Sequence, residues 1–106
     1  MKIKGILHSL SSKEELCLVT DPSLTRQVFD TFQEFLPEPQ KRDVEFFDGM
    51  LRLKLYEGGL PREAAEAFEQ ILADAWLAVE KAEQRRLDHL QAVSNSVGWP
   101  LIEKAV

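Results

Sequence analysis

The side chains best suited to chemistry are few and stand apart from one another. Cys17, within Leu16-Cys17-Leu18-Val19-Thr20, is the one thiol of the chain. It would act as a nucleophile only if a base or cation lowered its pKa, and its neighbours are apolar. It reads instead as a small buried hydrophobe. His8 and His89 are the two imidazoles, and neither sits in an H-x-x-x-H or Cys/His spacing that would hold zinc. Gly58-Gly59 lacks the strand context and the lysine of a phosphate-binding loop, so it reads as a tight corner before a helix. The 18 acidic side chains fall mostly on helix faces, where solvation is the usual role. Acid–base work needs two of them facing each other in a cleft. The expectation is a non-enzymatic protein, with no catalytic residues, no cofactor and no metal site.

Basic residues form three small spots: Lys2 with Lys4, Lys41-Arg42, and Arg85-Arg86. None is interleaved with aromatics for base stacking. If the fold gathered Lys41, Arg42, Arg85 and Arg86, a phosphate-binding face would result, which defines a second reading as a nucleic-acid-associated accessory protein. The net charge of −5 argues against coating a duplex or a membrane surface. No apolar stretch approaches the ~20 residues of a membrane span. The run Ile3 to His8 is too short and interrupted for a signal segment, and a lone cysteine excludes an internal disulfide framework. A cytoplasmic location is expected. At 106 residues, 44% of them hydrophobic, the chain fits one modest core. The expected organisation is one α+β domain over 1–98 and a tail over 99–106.

The expected element order is ββαββα. Lys2 to His8 and Leu16 to Thr20 read as strands, with a loop over Ser9 to Glu15. A short helix from Lys13 competes for that loop, because Ser12-Lys13-Glu14-Glu15 resembles a capping box. Asp21 as N-cap and Pro22 at the first position predict the start of a helix. Leu24, Val28, Phe29, Phe32, Phe35 and Leu36 form its apolar stripe, and Pro37 and Pro39 stop it.

The stretch Phe46 to Phe68 could be a hairpin followed by a helix, or one interrupted helix. A type I′ turn at Asp48-Gly49 sets Phe47 opposite Met50, Phe46 opposite Leu51, Glu45 opposite Arg52, Val44 opposite Leu53 and Asp43 opposite Lys54. That register matches apolar residues on one face and opposite charges on the other. A helix would bury Gly49 in its interior and scatter Phe46 and Leu53 off the stripe. The hairpin is the better reading.

A long helix is predicted from Arg62 to about Asn95, with Gly98 as its stop and Pro100 beyond it. Ala64, Ile71, Leu72, Ala75, Val79, Ala82, Leu90, Val93 and Val97 all lie within about 60° of Phe68 on a helical wheel, interrupted by Arg86. The helix is roughly 50 Å long at 1.5 Å per residue. Four short strands of ~17–20 Å cannot cover it. Part of the stripe must therefore meet another surface, as a homodimer or with a protein partner. Trp76 at the stripe's edge and Leu77 opposite it are the candidate anchors. Glu63, Glu66, Glu69, Asp74 and Glu80 form an acidic outer wall, and Arg86 would fix register. The tail Trp99-Pro100-Leu101-Ile102 is read as packed back over the body.

The segment YEGGLPREAAEAF, Tyr56 to Phe68, resembles a stretch of the form acidic-GG-L-x-R-E-x-A-E found in phage- and plasmid-borne bacterial accessory proteins. The resemblance covers about a tenth of the chain and implies a bacterial, mobile-element setting. Small acidic phage proteins of similar size often block host defence complexes, as anti-CRISPR proteins do. The functional expectation is a protein-binding module of the inhibitor or adaptor type, with Trp76, Leu77, Glu69, Glu80 and Arg86 as its contact residues. A third reading is a small-ligand enzyme with a pocket near His8 or Tyr56.

Overall fold

Four strands form the sheet and two helices cover one of its faces. The computed structural model describes residues 1–55 and 59–102. Its elements are β1 (Lys2–Ile6), β2 (Glu15–Asp21), α1 (Arg26–Phe35), a one-turn α2 (Glu38–Lys41), β3 (Val44–Phe47), β4 (Met50–Lys54) and α3 (Arg62–Val97). The strand order is β1-β2-β4-β3, with every neighbouring pair antiparallel. This is an α+β fold with the expected alternation of strand pairs and helices, augmented by α2.

The hairpin forms in the expected register, Val44 to Leu53 through Phe47 to Met50. Asp48 and Gly49 both take positive φ, 48° and 75°, as a type I′ turn requires. Strand alternation then sorts the side chains. Leu18, Val44, Leu51 and Leu53 face the helices and join Leu24, Val28, Phe29 and Phe32 of the α1 segment with Phe68, Leu72 and Ala75 of α3. Phe32 meets Phe68 edge-on at 5.0 Å. The opposite face carries Arg52, which bonds Glu15 of β2 at 2.8 Å and lies over the Phe47 ring at 5.1 Å. Arg52 stands opposite Glu45 in the hairpin, yet β4 lies between β2 and β3, so a second carboxylate competes for it and holds it.

Cys17 is fully buried, and it lies outside the main cluster. Its Sγ rests 3.7 Å from the Met50 sulfur, and its backbone is clamped by Leu7 and by the Ser11 hydroxyl.

Several boundaries differ from the sequence reading. The first strand ends at Ile6, and His8–Leu10 forms a 3-10 turn, while no helix starts at Lys13. Helix α1 begins four residues later than Pro22, with Thr25 rather than Asp21 as its N-cap; the Thr25 hydroxyl accepts from Val28 N at 3.2 Å. Asp21 is instead the last residue of β2, paired with Lys2, so it is not free to open a helix. Leu24 N donates to Gly49 O at 3.0 Å, which ties the connecting segment to the hairpin turn. Phe35, expected on the buried stripe, is 46% exposed. Tyr56, Glu57 and Gly58, which carry part of the resemblance and the glycine corner, lie outside the described residues, as do 103–106.

Helix α3 runs unbroken for 36 residues and closes on Gly98 in the left-handed region. The molecule measures 60 × 29 × 20 Å, with a radius of gyration of 17.6 Å. A compact chain of about 100 residues would have a radius near 13 Å. The excess comes from α3, whose buried residues end at Ala75 and whose last partly buried core neighbour is Val79. Beyond it, Leu87, Val93 and Val97 are exposed.

Candidate docking surface on the long helix

Three of the five expected contact residues come together and two stand apart. Trp76, Leu77 and Glu80 border a shallow groove of about 630 Å³, whose other wall is the start of α1 at Thr25, Gln27 and Val28. Trp76 is half-buried, with one side packed on the core, so only part of the indole is available to a partner. Leu77 is 47% exposed, as its position opposite the stripe requires. Glu69 lies eleven residues before Glu80, about 16 Å along the helix, and does not border the groove. Arg86 does not border it either. It is held by Glu83, to which its Nε donates at 3.0 Å, while Nη2 donates to the other carboxylate oxygen. That hydrogen-bonded contact holds the Glu83 carboxyl below its ordinary range and raises the Arg86 guanidinium.

Sequence reasoning missed Leu87 and the α1 wall. Leu87 borders the groove too, and at eleven residues after Trp76 it falls on the same flank, so helical spacing could have found it. The α1 wall is set by tertiary packing and left no local signal.

The acidic wall is present. Glu63, Glu66, Glu69, Asp74 and Glu80 are all exposed. Arg62 pairs with Glu66, and Gln70 bonds Asp74, whereas Glu63, Glu69 and Glu80 have no ion-pair partner among the described residues. Lys41-Arg42 and Arg85-Arg86 do not merge. Gln40 and Asp43, which flank Lys41-Arg42, border the first turns of α3 at Ala64 and Phe68. Arg85 and Arg86 lie about seventeen residues further on, roughly 26 Å away along the helix axis. Lys41 is also paired with Glu38 at 3.2 Å.

A second cavity, of about 310 Å³, lies between the sheet and α3, lined chiefly by Val44, Leu53, Leu60, Phe68 and Ile71. Neither His8 nor Cys17 borders it. Among the described residues, no three His, Cys, Asp or Glu side chains converge as a metal cluster, and no helix is long and apolar enough to cross a membrane. The tail does not fold back: Trp99 is 74% and Ile102 76% exposed. Gly98 turns the chain away from the helix axis, and the Ser94 hydroxyl fixes that turn by donating to Trp99 O. Comparison with family models, with curated proteins and with solved structures finds no match to this chain.

Proposed function

We propose that this protein is a non-catalytic protein-binding module of the inhibitor or adaptor type, acting through α3. The observation that carries the reading is the mismatch between helix and body. The helix continues for more than four turns past Val79, its last core neighbour, and still presents apolar residues. A monomer gains no stability from a projecting apolar ridge, and contiguous exposed apolar surface of this kind marks interaction sites. The groove at Trp76, Leu77 and Leu87 offers a partner an apolar floor, and its rim carries Glu80 and Lys81 beside the Glu83–Arg86 pair. The net charge of −5 would speed encounter with a basic surface, and the mixed rim would fix its orientation.

In its narrower form the module blocks a host defence complex, as an anti-CRISPR would. The free carboxylates Glu63, Glu69 and Glu80 would sit in a basic channel that otherwise holds nucleic acid. The test is capture of a partner from the native host on immobilised protein, followed by titration with variants. Leu77→Glu and Glu80→Lys should each weaken binding at least tenfold while leaving the circular dichroism unchanged. Trp76→Ala should cost about 2 kcal/mol of binding, near thirtyfold, if the indole is a hot spot. Absence of any captured protein, or a captured partner indifferent to all three substitutions, would refute the reading.

A further inference from the structure

The sheet is open, and its two edges are built differently. The β1 edge carries Lys2 and Lys4, both exposed, and its register with β2 shifts between Ile3 and Gly5. Edge lysines and bulges are common means of refusing a further strand. The β3 edge, Val44–Phe47, has no lysine and pairs with β4 in unbroken register.

The hydrogen bonds of the hairpin show which backbone groups lie on that edge. Lys54 N donates to Asp43 O at 2.7 Å, so this level of the ladder is a bonded one. Bonded and non-bonded pairs alternate in an antiparallel ladder. Glu45–Arg52 and Phe47–Met50 are then bonded, and Val44–Leu53 and Phe46–Leu51 are not. The N–H and C=O of Val44 and Phe46 therefore point outward from β3, and among the described residues no backbone hydrogen bond takes them up. Glu45 and Phe47 are exposed on the sheet face turned away from the helices. Arg52 is held by Glu15, and Glu45 has no ion-pair partner among the described residues.

We propose that this edge receives an extended segment of a partner protein, paired antiparallel to β3, with a lysine or arginine opposite Glu45. Donors and acceptors repeating at every second residue are matched by another extended backbone, which names the occupant as a strand. Charge names one of its side chains, because a cation opposite the unpaired Glu45 stabilises the pair. Phe47, whose ring is backed by Arg52, takes an apolar residue. Phe46 is half-buried beneath Phe29 and Arg26, and an apolar residue opposite it completes that cover. Opposite Phe47, Phe46, Glu45 and Val44, the incoming segment reads apolar, apolar, basic, apolar.

A second copy fits poorly. Pairing about a two-fold axis at Glu45 sets that carboxylate against its own copy, with Cα atoms about 4.5 Å apart. An axis at Val44 sets Glu45 against Asp43. An axis at Phe46 sets Val44 against Asp48, whose φ of 48° has left the strand.

The probe is a capped peptide, acetyl-TIVKVT-amide, with acetyl-TIVEVT-amide as control. Under saturating lysine peptide, amide exchange read by NMR should slow about tenfold or more at Val44 and Phe46. Glu45 and Phe47 should change little, because β4 already holds their amides. Glu45→Lys, at an exposed position, should leave the circular dichroism unchanged and reverse the preference toward the glutamate peptide by about threefold or more. Leu77→Glu should alter neither affinity; a loss there would place the peptide in the α3 groove and overturn the proposal. Unchanged exchange at Val44 and Phe46 would overturn it, as would a preference that Glu45→Lys leaves as it was. Protection that grows with protein concentration alone would put a second copy on the edge and also overturn it. The α3 groove reading stands or falls separately, on host-partner capture with Leu77→Glu.

Discussion

Leu72→Ala and Val93→Ala remove apolar groups from the same stripe of the same helix, 21 residues apart, and should differ sharply in cost. Leu72 is fully buried between α1 and the sheet, whereas Val93 is 44% exposed. A buried Leu→Ala loses its transfer free energy and leaves a cavity, together about 2–5 kcal/mol. Against a typical domain stability of roughly 5–15 kcal/mol, that is a large fraction. At about 4–8 °C of Tm per kcal/mol, a loss near 3 kcal/mol lowers the midpoint by more than about 12 °C. Val93→Ala removes little buried area and slightly favours helix, so its effect should stay within about 0.5 kcal/mol.

Urea unfolding followed by circular dichroism gives the two values. Hydrogen exchange adds the profile, since a free helical segment of about 14 residues is marginal alone. Amides from Phe68 to Val79 should approach global protection, and those beyond Arg85 should exchange fast. A cost for Val93→Ala comparable to that for Leu72→Ala would mean that the distal half packs on the body, and the mismatch argument would fail.

Thr25→Ala should cost about 1 kcal/mol in urea unfolding, because it removes the acceptor for Val28 N at the start of α1. Asp21→Ala should cost less, since Asp21 caps nothing there. Gly49→Ala places a side chain at φ 75° and should cost about 1–2 kcal/mol from backbone conformation, its added carbon meeting nothing closer than 3.8 Å. The Glu83 carboxyl is held low by Arg86, so its contribution is present above the unfolded pKa and fades as pH falls through the folded one. Carboxyl NMR should show a depressed Glu83 titration that returns to ordinary values in Arg86→Ala and moves toward them in high salt. An unshifted titration in the parent protein would contradict the pairing.

What the sequence made legible was local or periodic. Asp48-Gly49 specified a turn type, and the turn type dictated every partner from Val44 to Leu53. Gly98 stopped α3 because only a residue tolerant of the left-handed region closes a helix there. Periodicity also placed Leu77 on the exposed side and showed that the stripe was longer than any platform four strands could build. What stayed hidden depended on neighbours distant in sequence. Asp21-Pro22 is a sound helix start by local chemistry, yet Asp21 is taken into β2 by its pairing with Lys2, and the helix starts after Thr25. The partner of Arg52 depended on strand order, which no local pattern encodes. The groove needed α1 and α3 side by side, and its wall at Thr25, Gln27 and Val28 is set by how the two helices pack. The tail was misjudged because apolar content suggested burial, while the direction of the chain after Gly98 decided exposure.

The division of labour along α3 bears on why the chain keeps such a helix. Its first half completes a core that also draws on α1 and three strands, and that core closes near Val79. Selection for folding alone would leave the second half free to become charged, as the outer wall of the first half is, with Glu63, Glu66, Glu69, Asp74 and Glu80 all in solvent. The second half goes the other way, losing its last charged residue at Asp88 while retaining Leu90, Val93 and Val97 on one face. Local composition and the fold of the single chain are therefore in conflict along this half of α3, where exposed apolar residues recur without a charged neighbour. A conflict of this kind is expected where a sequence serves something other than its own stability. Covering that face with a second body removes the conflict, because it turns a segment that fails as monomer surface into ordinary interior.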